Sequence, residues 1–209
     1  ALLLACDELG MYVMDECFDM WNRCKRSNDY ALFFDQWWER DVEAMVRKDY
    51  NHPSVILYSV GNEIPEIGTP HGAKTCRDIA EKIRSMDRTR FTLSAINGIF
   101  VIGDVVRQIA ADVLGKDVSG EAGGNVNDFM SVMFGNMDRL LLHPILDERL
   151  AMACACTDIA GYNYMTDRYD YDSEHCRNRV IVGSETYPKQ IAENWEHVKA
   201  KPNLIGDFT

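Results

Sequence analysis

Two glutamates stand where apolar, strand-like runs end. Glu63 follows "SVILYSVGN" (54–62), and Glu185 follows "RVIVGS" (179–184); neither has a basic residue beside it. Ser54 to Val60 is apolar and β-branched enough to be buried on both faces, so a carboxylate delivered at its tip calls for a purpose. Two carboxylates facing one another among uncharged hydrogen-bonding groups suit cleavage of an acetal. One donates a proton to the leaving oxygen, and the other meets the positive charge that grows at the anomeric carbon. Glu63 and Glu185 lie far apart in sequence, so only the fold can unite them. No nucleophilic Ser-His arrangement and no phosphate-cradling glycine loop offers a rival chemistry.

The elements that would unite them alternate along the chain. "GMYVMDE" (10–16), the stretch before Glu63, "RFTLSAIN" (90–97), "DIAGYNY" (158–164), "RVIVGSE" (179–185) and "LIGDF" (204–208) read as six strands. Between them lie runs with helical periodicity. Phe34, Trp38, Val42, Met45 and Val46 share a face, with Asn28 or Asp29 as the cap before them, and Cys76, Ile79, Ala80 and Ile83 form a second stripe. "PILDERLAMACA" (144–155) and "KQIAENWEHVKA" (189–200) read as further helices. From Gly98 to His143 the pattern loosens around one helix-like piece, Val105 to Leu114, and a glycine-rich break, "SGEAGGN"; the stretch is expected to shape a substrate site. Alternation of this kind predicts an α/β fold, a (β/α)8 TIM barrel represented by about six of its eight strands, with the N-terminal strands missing. Residues 1–209 are expected to form one partial catalytic barrel domain, a fragment with two open sheet edges that invite association.

In such a barrel the C-terminal ends of the strands build the active site. That rule collects Asp15 and Glu16, Asn62 and Glu63, Asn97, Asn163 and Tyr164, and Ser184 and Glu185 on one rim.

Composition narrows the partners. A net charge of -11 over 209 residues leaves no basic surface for a nucleic acid or an anionic membrane, and no apolar run reaches the length of a membrane span. Seven cysteines at positions 6, 17, 24, 76, 154, 156 and 176 read mostly as small core hydrophobes. The "CAC" spacing at 154–156 suits neither a zinc knuckle nor a dithiol redox motif, and no metal or cofactor is expected.

Five segments, in order, resemble glycoside hydrolase family 2, the group that contains β-galactosidases and β-glucuronidases. "NHPSVILYSVGNEIPE" is similar to its acid/base segment and "ELGMYVMDECFDMW" to the strand and loop before it. "DIAGYNYM" resembles its tyrosine-bearing strand, "VIVGSETYP" its nucleophile strand and "LIGDFT" the start of its last strand. The resemblance implies a retaining mechanism in which Glu63 is the general acid/base and Glu185 the nucleophile that forms a covalent glycosyl-enzyme. It also implies that Asn62 binds the sugar 2-hydroxyl and that Tyr164, with Tyr162 the alternative, hydrogen-bonds the nucleophile. Asn163 and Asp19 would contact substrate. From its residue type and loop position, Trp21 reads equally as a stacking platform for the sugar or as packing. Some family members hold magnesium through a Glu and a His after the first of these strands; the matching loop here is "CFDMW", so that site is expected to be missing.

The "SVGNEIPE" segment is closer to the galactosidase type than to the glucuronidase type. The substrate is therefore expected to be a β-galactoside, with β-glucuronidase the alternative. A reading from another class is a carbohydrate-binding relic without catalysis, whose mark would be loss of Glu63 or Glu185; both are present. The isolated chain is expected to turn over little or no substrate.

Overall fold

The β-branched runs become strands, and the amphipathic runs between them become the crossovers that parallel pairing requires. The computed structural model describes residues 1–114 and 135–209. In chain order the elements are α1 (Leu2–Leu9), β1 (Val13–Glu16), a 3-10 turn (Tyr30–Leu32), α2 (Phe34–Asp49), β2 (Val55–Asn62), α3 (Pro70–Met86), β3 (Phe91–Ile96), α4 (Gly98–Val101) and α5 (Val106–Leu114). They continue as α6 (Met137–Leu141), α7 (Pro144–Cys154), β4 (Ile159–Asn163), α8 (Arg168–His175), β5 (Ile181–Glu185), a second 3-10 turn (Pro188–Gln190), α9 (Ile191–Ala200) and β6 (Leu204–Asp207).

The six strands form one sheet in sequence order, every neighbouring pair parallel. This is the incomplete TIM barrel that the alternation predicted, with β1 and β6 at its edges. Its strands bury two layers. Leu57, Leu93, Ile159 and Val182 cluster on one side with Met14 and Phe208. On the other side Tyr58, Val60, Ile96, Ala160, Tyr162 and Ile181 pack against the helices, including Val42 and Val46 of α2 and Ile79 and Ile83 of α3. Alternation along each strand thus sends one set of side chains into the arc and the other to the helical layer.

Local chemistry fixes the helix starts. Asp29 caps the turn before α2 by accepting from Ala31 N, which resolves the choice between Asn28 and Asp29. Thr69 caps α3 by accepting from Gly72 N, with Pro70 in the first turn.

Two expectations need revision. Helix α8, "RYDYDSEH", was not foreseen, because its sequence carries no apolar stripe. It is held instead by Arg168, which is buried and donates to Asp147, to Asp172 and to the Leu141 carbonyl. The 98–143 stretch also contributes to the core. Its described parts bury Val101, Ile102, Ile109, Ala110, Leu140 and Leu141 in the main core, while "SGEAGGN" lies outside the described residues. Of the cysteines, Cys76 and Cys156 are buried as expected of core residues, but Cys24 is exposed.

Candidate active site

The strand tips converge as the barrel rule requires. Asn62 ends β2, Asn163 ends β4 and Glu185 ends β5, with Glu63 and Tyr164 one residue beyond their strands. Both of the latter have a left-handed backbone, φ 51° at Glu63 and 55° at Tyr164. For a non-glycine residue that conformation costs on the order of 1–3 kcal/mol and persists only where the surroundings impose it. Here the backbone supplies the restraint: Glu63 N donates to the Ala95 carbonyl and Tyr164 N to the Glu185 carbonyl.

One amide joins the two glutamates. Asn163 is fully buried, and its Nδ2 lies 3.1 Å from Glu185 Oε2 and 3.5 Å from Glu63 Oε1. The same nitrogen donates to Asn62 Oδ1 at 2.8 Å, and Asn163 Oδ1 accepts from Ser184 Oγ at 2.6 Å, which fixes the orientation of the amide. Glu63 Oε1 also accepts from Asn97 Nδ2 at 2.8 Å, while Asn97 Oδ1 caps α4. Tyr164 donates its hydroxyl to Glu185 Oε1. That bond, and secondly burial, push the phenol up to about 12, so Tyr164 stays a neutral donor. The exposed Tyr187 ring packs 4.6 Å from the Tyr164 ring.

The loop after β1 closes the other side. Asp19 Oδ1 accepts from Asn62 Nδ2 at 3.1 Å and from Lys25 Nζ at 3.0 Å, and its carboxylate remains largely exposed. Trp21 is a correction to the sequence reading. Its ring is 0% exposed, and its indole nitrogen donates to the Val60 carbonyl at 3.1 Å, so it presents no face on which a sugar could stack. Gly61 makes the niche: a Cβ there would meet Trp21 Nε1 at 2.9 Å. Tyr162 is also excluded from the site, since it lies in the helical layer and donates to Asp172.

Glu16 brings a further carboxyl to the rim, accepting from Ser59 Oγ at 2.5 Å. The residue stays exposed to solvent, with partial desolvation where the carboxyl meets Ser59. That desolvation first, then the charges of Asp19 and Glu185, push it up to about 7, against the Ser59 bond and the Lys25 charge. Its neighbour Asp15 points the other way, to Lys48 on α2 at 2.6 Å. Sequence reasoning placed Glu16 on the rim but left Lys25 out, because nothing local distinguishes that lysine from any loop lysine. Among the described residues no group of three or more His, Cys, Asp or Glu side chains is arranged to hold a metal ion. No described helix is long and apolar enough to cross a membrane.

A family model described as "Glycosyl hydrolases family 2, TIM barrel domain" matches residues 1–116. The chain belongs to glycoside hydrolase family 2. Its relatives include the β-galactosidase BoGH2A of Bacteroides ovatus, 51% identical over 65 residues, which is 31% of this chain and 8% of that protein. A provisionally named β-glucuronidase of Formosa agariphila is 49% identical over 59 residues, 28% of this chain and 6% of that protein. Among solved structures, a glycosyl hydrolase family 2 member from Bacteroides cellulosilyticus superposes with a TM-score of 0.71 at 32% identity, covering 99% of this chain and 21% of that one. The chain thus spans about a fifth of that family 2 structure.

Proposed function

We propose that this family 2 barrel hydrolyses terminal β-linked sugars with retention, Glu63 acting as general acid/base and Glu185 as nucleophile. The observation that carries the reading is the Asn163 amide, within hydrogen-bonding reach of both carboxylates. Its two distances bound the separation of those oxygens at about 6.6 Å, which suits a retaining pair at ~5–5.5 Å better than an inverting pair at ~6.5–9.5 Å.

In the first step Glu63 gives its proton to the glycosidic oxygen as Glu185 attacks the anomeric carbon, and the aglycone leaves with that proton. In the second step Glu63, now ionised, takes a proton from water as the water displaces Glu185. The bonds from Tyr164 and Asn163 to Glu185 keep its carboxylate aimed while charge leaves and returns. Asn62 would meet the sugar 2-hydroxyl, an interaction that strengthens as the ring takes on positive charge. Asp19, exposed beside Asn62, would accept from a further sugar hydroxyl, and Asn163 would act through its contacts to both glutamates.

A β-galactoside is the first substrate reading, supported by the named activity of the 51% identical relative. The β-glucuronide reading is favoured by the Formosa relative.

The test is hydrolysis of nitrophenyl β-galactoside, glucuronide, glucoside and mannoside by the full-length protein, with Glu185→Gln beside it. Turnover of one sugar, lost in the variant, is expected. A folded protein silent on all four would turn the reading toward a carbohydrate-binding relic.

A further inference from the structure

Lys25 is a cation at this site that the mechanism above leaves unused. Its side chain is 14% exposed, deep for a lysine, and its ammonium lies 5.4 Å from the centre of the Phe100 ring. Two hydrogen bonds fix it: one to Asp19 Oδ1 at 3.0 Å and one to the main-chain carbonyl of Asn62 at 2.8 Å.

The second bond falls on a particular peptide unit, the one joining Asn62 to Glu63. Its carbonyl is held by Lys25, and its N–H is held by the Ala95 carbonyl at 2.7 Å. A peptide unit is a rigid plane, so anchoring both ends fixes its rotation. The left-handed φ of Glu63 is measured from that plane, and it directs the carboxylate toward Asn97 and Asn163. Without the ammonium, the carbonyl end loses that anchor, and the peptide can relax toward a conformation that a glutamate prefers.

We infer that Lys25 is a positioning residue for proton donation: through the Asn62 carbonyl it holds the 62–63 peptide in the orientation that aims Glu63 at the leaving oxygen. This inference rests on the glycosidase reading above. The loop keeps other anchors, Trp21 on the Val60 carbonyl, Arg23 N on Glu66 Oε1 at 2.9 Å, and Asn62 N on the Phe18 carbonyl at 2.7 Å. Loss of Lys25 alone therefore leaves the loop docked.

The consequence is selective. A sugar with an activated aryl leaving group departs without needing a proton, whereas an alkyl or sugar aglycone requires one. A residue that serves only the fold would depress both alike.

The experiment compares Lys25→Met and Lys25→Arg with the unaltered full-length protein on a series of β-glycosides, from dinitrophenyl through nitrophenyl to methyl, with melting temperatures recorded for each. In Lys25→Met, kcat/KM for the methyl glycoside is expected to fall about 100-fold while the dinitrophenyl substrate loses less than about fivefold, the range a general acid supplies. Lys25→Arg, which keeps a cationic donor, is expected to recover part of the loss. A loss uniform across leaving groups, or no loss, overturns the positioning role while the glycosidase reading stands. If the unaltered protein turns over none of the series, the glycosidase reading fails first and this inference falls with it.

Discussion

Asn163 and Asn62, 101 residues apart in sequence, meet through a 2.8 Å bond from Asn163 Nδ2 to Asn62 Oδ1. That contact joins β2 to β4 across the intervening strand β3 and ties the residue before Glu63 to the amide that reaches Glu185. The amide is buried, so each of its bonds forms in surroundings that strengthen it. Asn163→Ala in the full-length protein is expected to lower kcat/KM on the preferred sugar by about 100-fold, the scale of one lost preorganised donor. Steady-state kinetics check this, and a loss below about threefold would contradict the central place given to the amide.

The Tyr164 hydroxyl donates to Glu185. A hydrogen bond to a charged group contributes about 1.5–3 kcal/mol, so Tyr164→Phe is expected to cost roughly 10- to 150-fold in kcat. Because Tyr164 N is also held by the Glu185 carbonyl, the phenylalanine ring should keep its place against Tyr187. Unchanged kcat in a folded variant would show that the hydroxyl does nothing for Glu185.

The open edges of the sheet carry a prediction of their own. β1 and β6 each pair on one side only among the described strands, and exposed Met11, Tyr12 and Ile205 lie on or beside those edges. Unpaired strand edges recruit other strands. The 209-residue chain prepared alone is expected to self-associate in size-exclusion chromatography with light scattering, and to turn over at least 100-fold more slowly than the full-length protein, on the order expected when catalytic groups lose their positioning. A monodisperse monomer with full activity would refute both statements.

Helix α8 buries charge alongside the Tyr169 ring. Arg168 and Asp172 are both essentially unexposed, and Tyr162 and Arg179 also donate to Asp172. Removing one partner of such a pair leaves a buried charge short of its compensation, at a cost of about 3–5 kcal/mol. Arg168→Met is expected to lose that much in urea unfolding. A change under about 1 kcal/mol, the range of an exposed pair, would mean that the network contributes little.

The sequence made the strands and the α2 and α3 faces legible because period alone decides which residues a regular element buries. Cys76, Ile79, Ala80 and Ile83 recur at helical spacing, and all four are buried. Helix α8 escaped because its buried face is Arg168, Tyr169 and Asp172 rather than an apolar stripe, and Arg168 also pairs with Asp147 on α7. Trp21 misled for a related reason: an aromatic in a loop reads equally as platform or as core. The deciding signal was Gly61, whose missing side chain admits the indole, but that contact spans the gap between β1 and β2. Glu63 and Glu185 could be named from their strand ends, yet their convergence belongs to the sheet order. Lys25 had no local signal at all, since its partner is a main-chain carbonyl 37 residues away.

Glu16 gives the site a pH signature. Its carboxyl is raised from 4.5 to about 7, first by desolvation and then by Asp19 and Glu185, with Ser59 and Lys25 opposing. A raised folded-state value means that between about 4.5 and 7 the folded protein holds a proton that the unfolded chain has released. Stability from this group is therefore full below 4.5 and is lost as pH rises through 7. Glu16→Gln keeps the acceptor for Ser59 and removes the titration. The melting temperature of the variant minus that of the unaltered protein is accordingly expected to be larger at pH 8 than at pH 5, by a few degrees at most, because solvent at the rim screens the effect. A difference independent of pH would show that Glu16 titrates alike in both states.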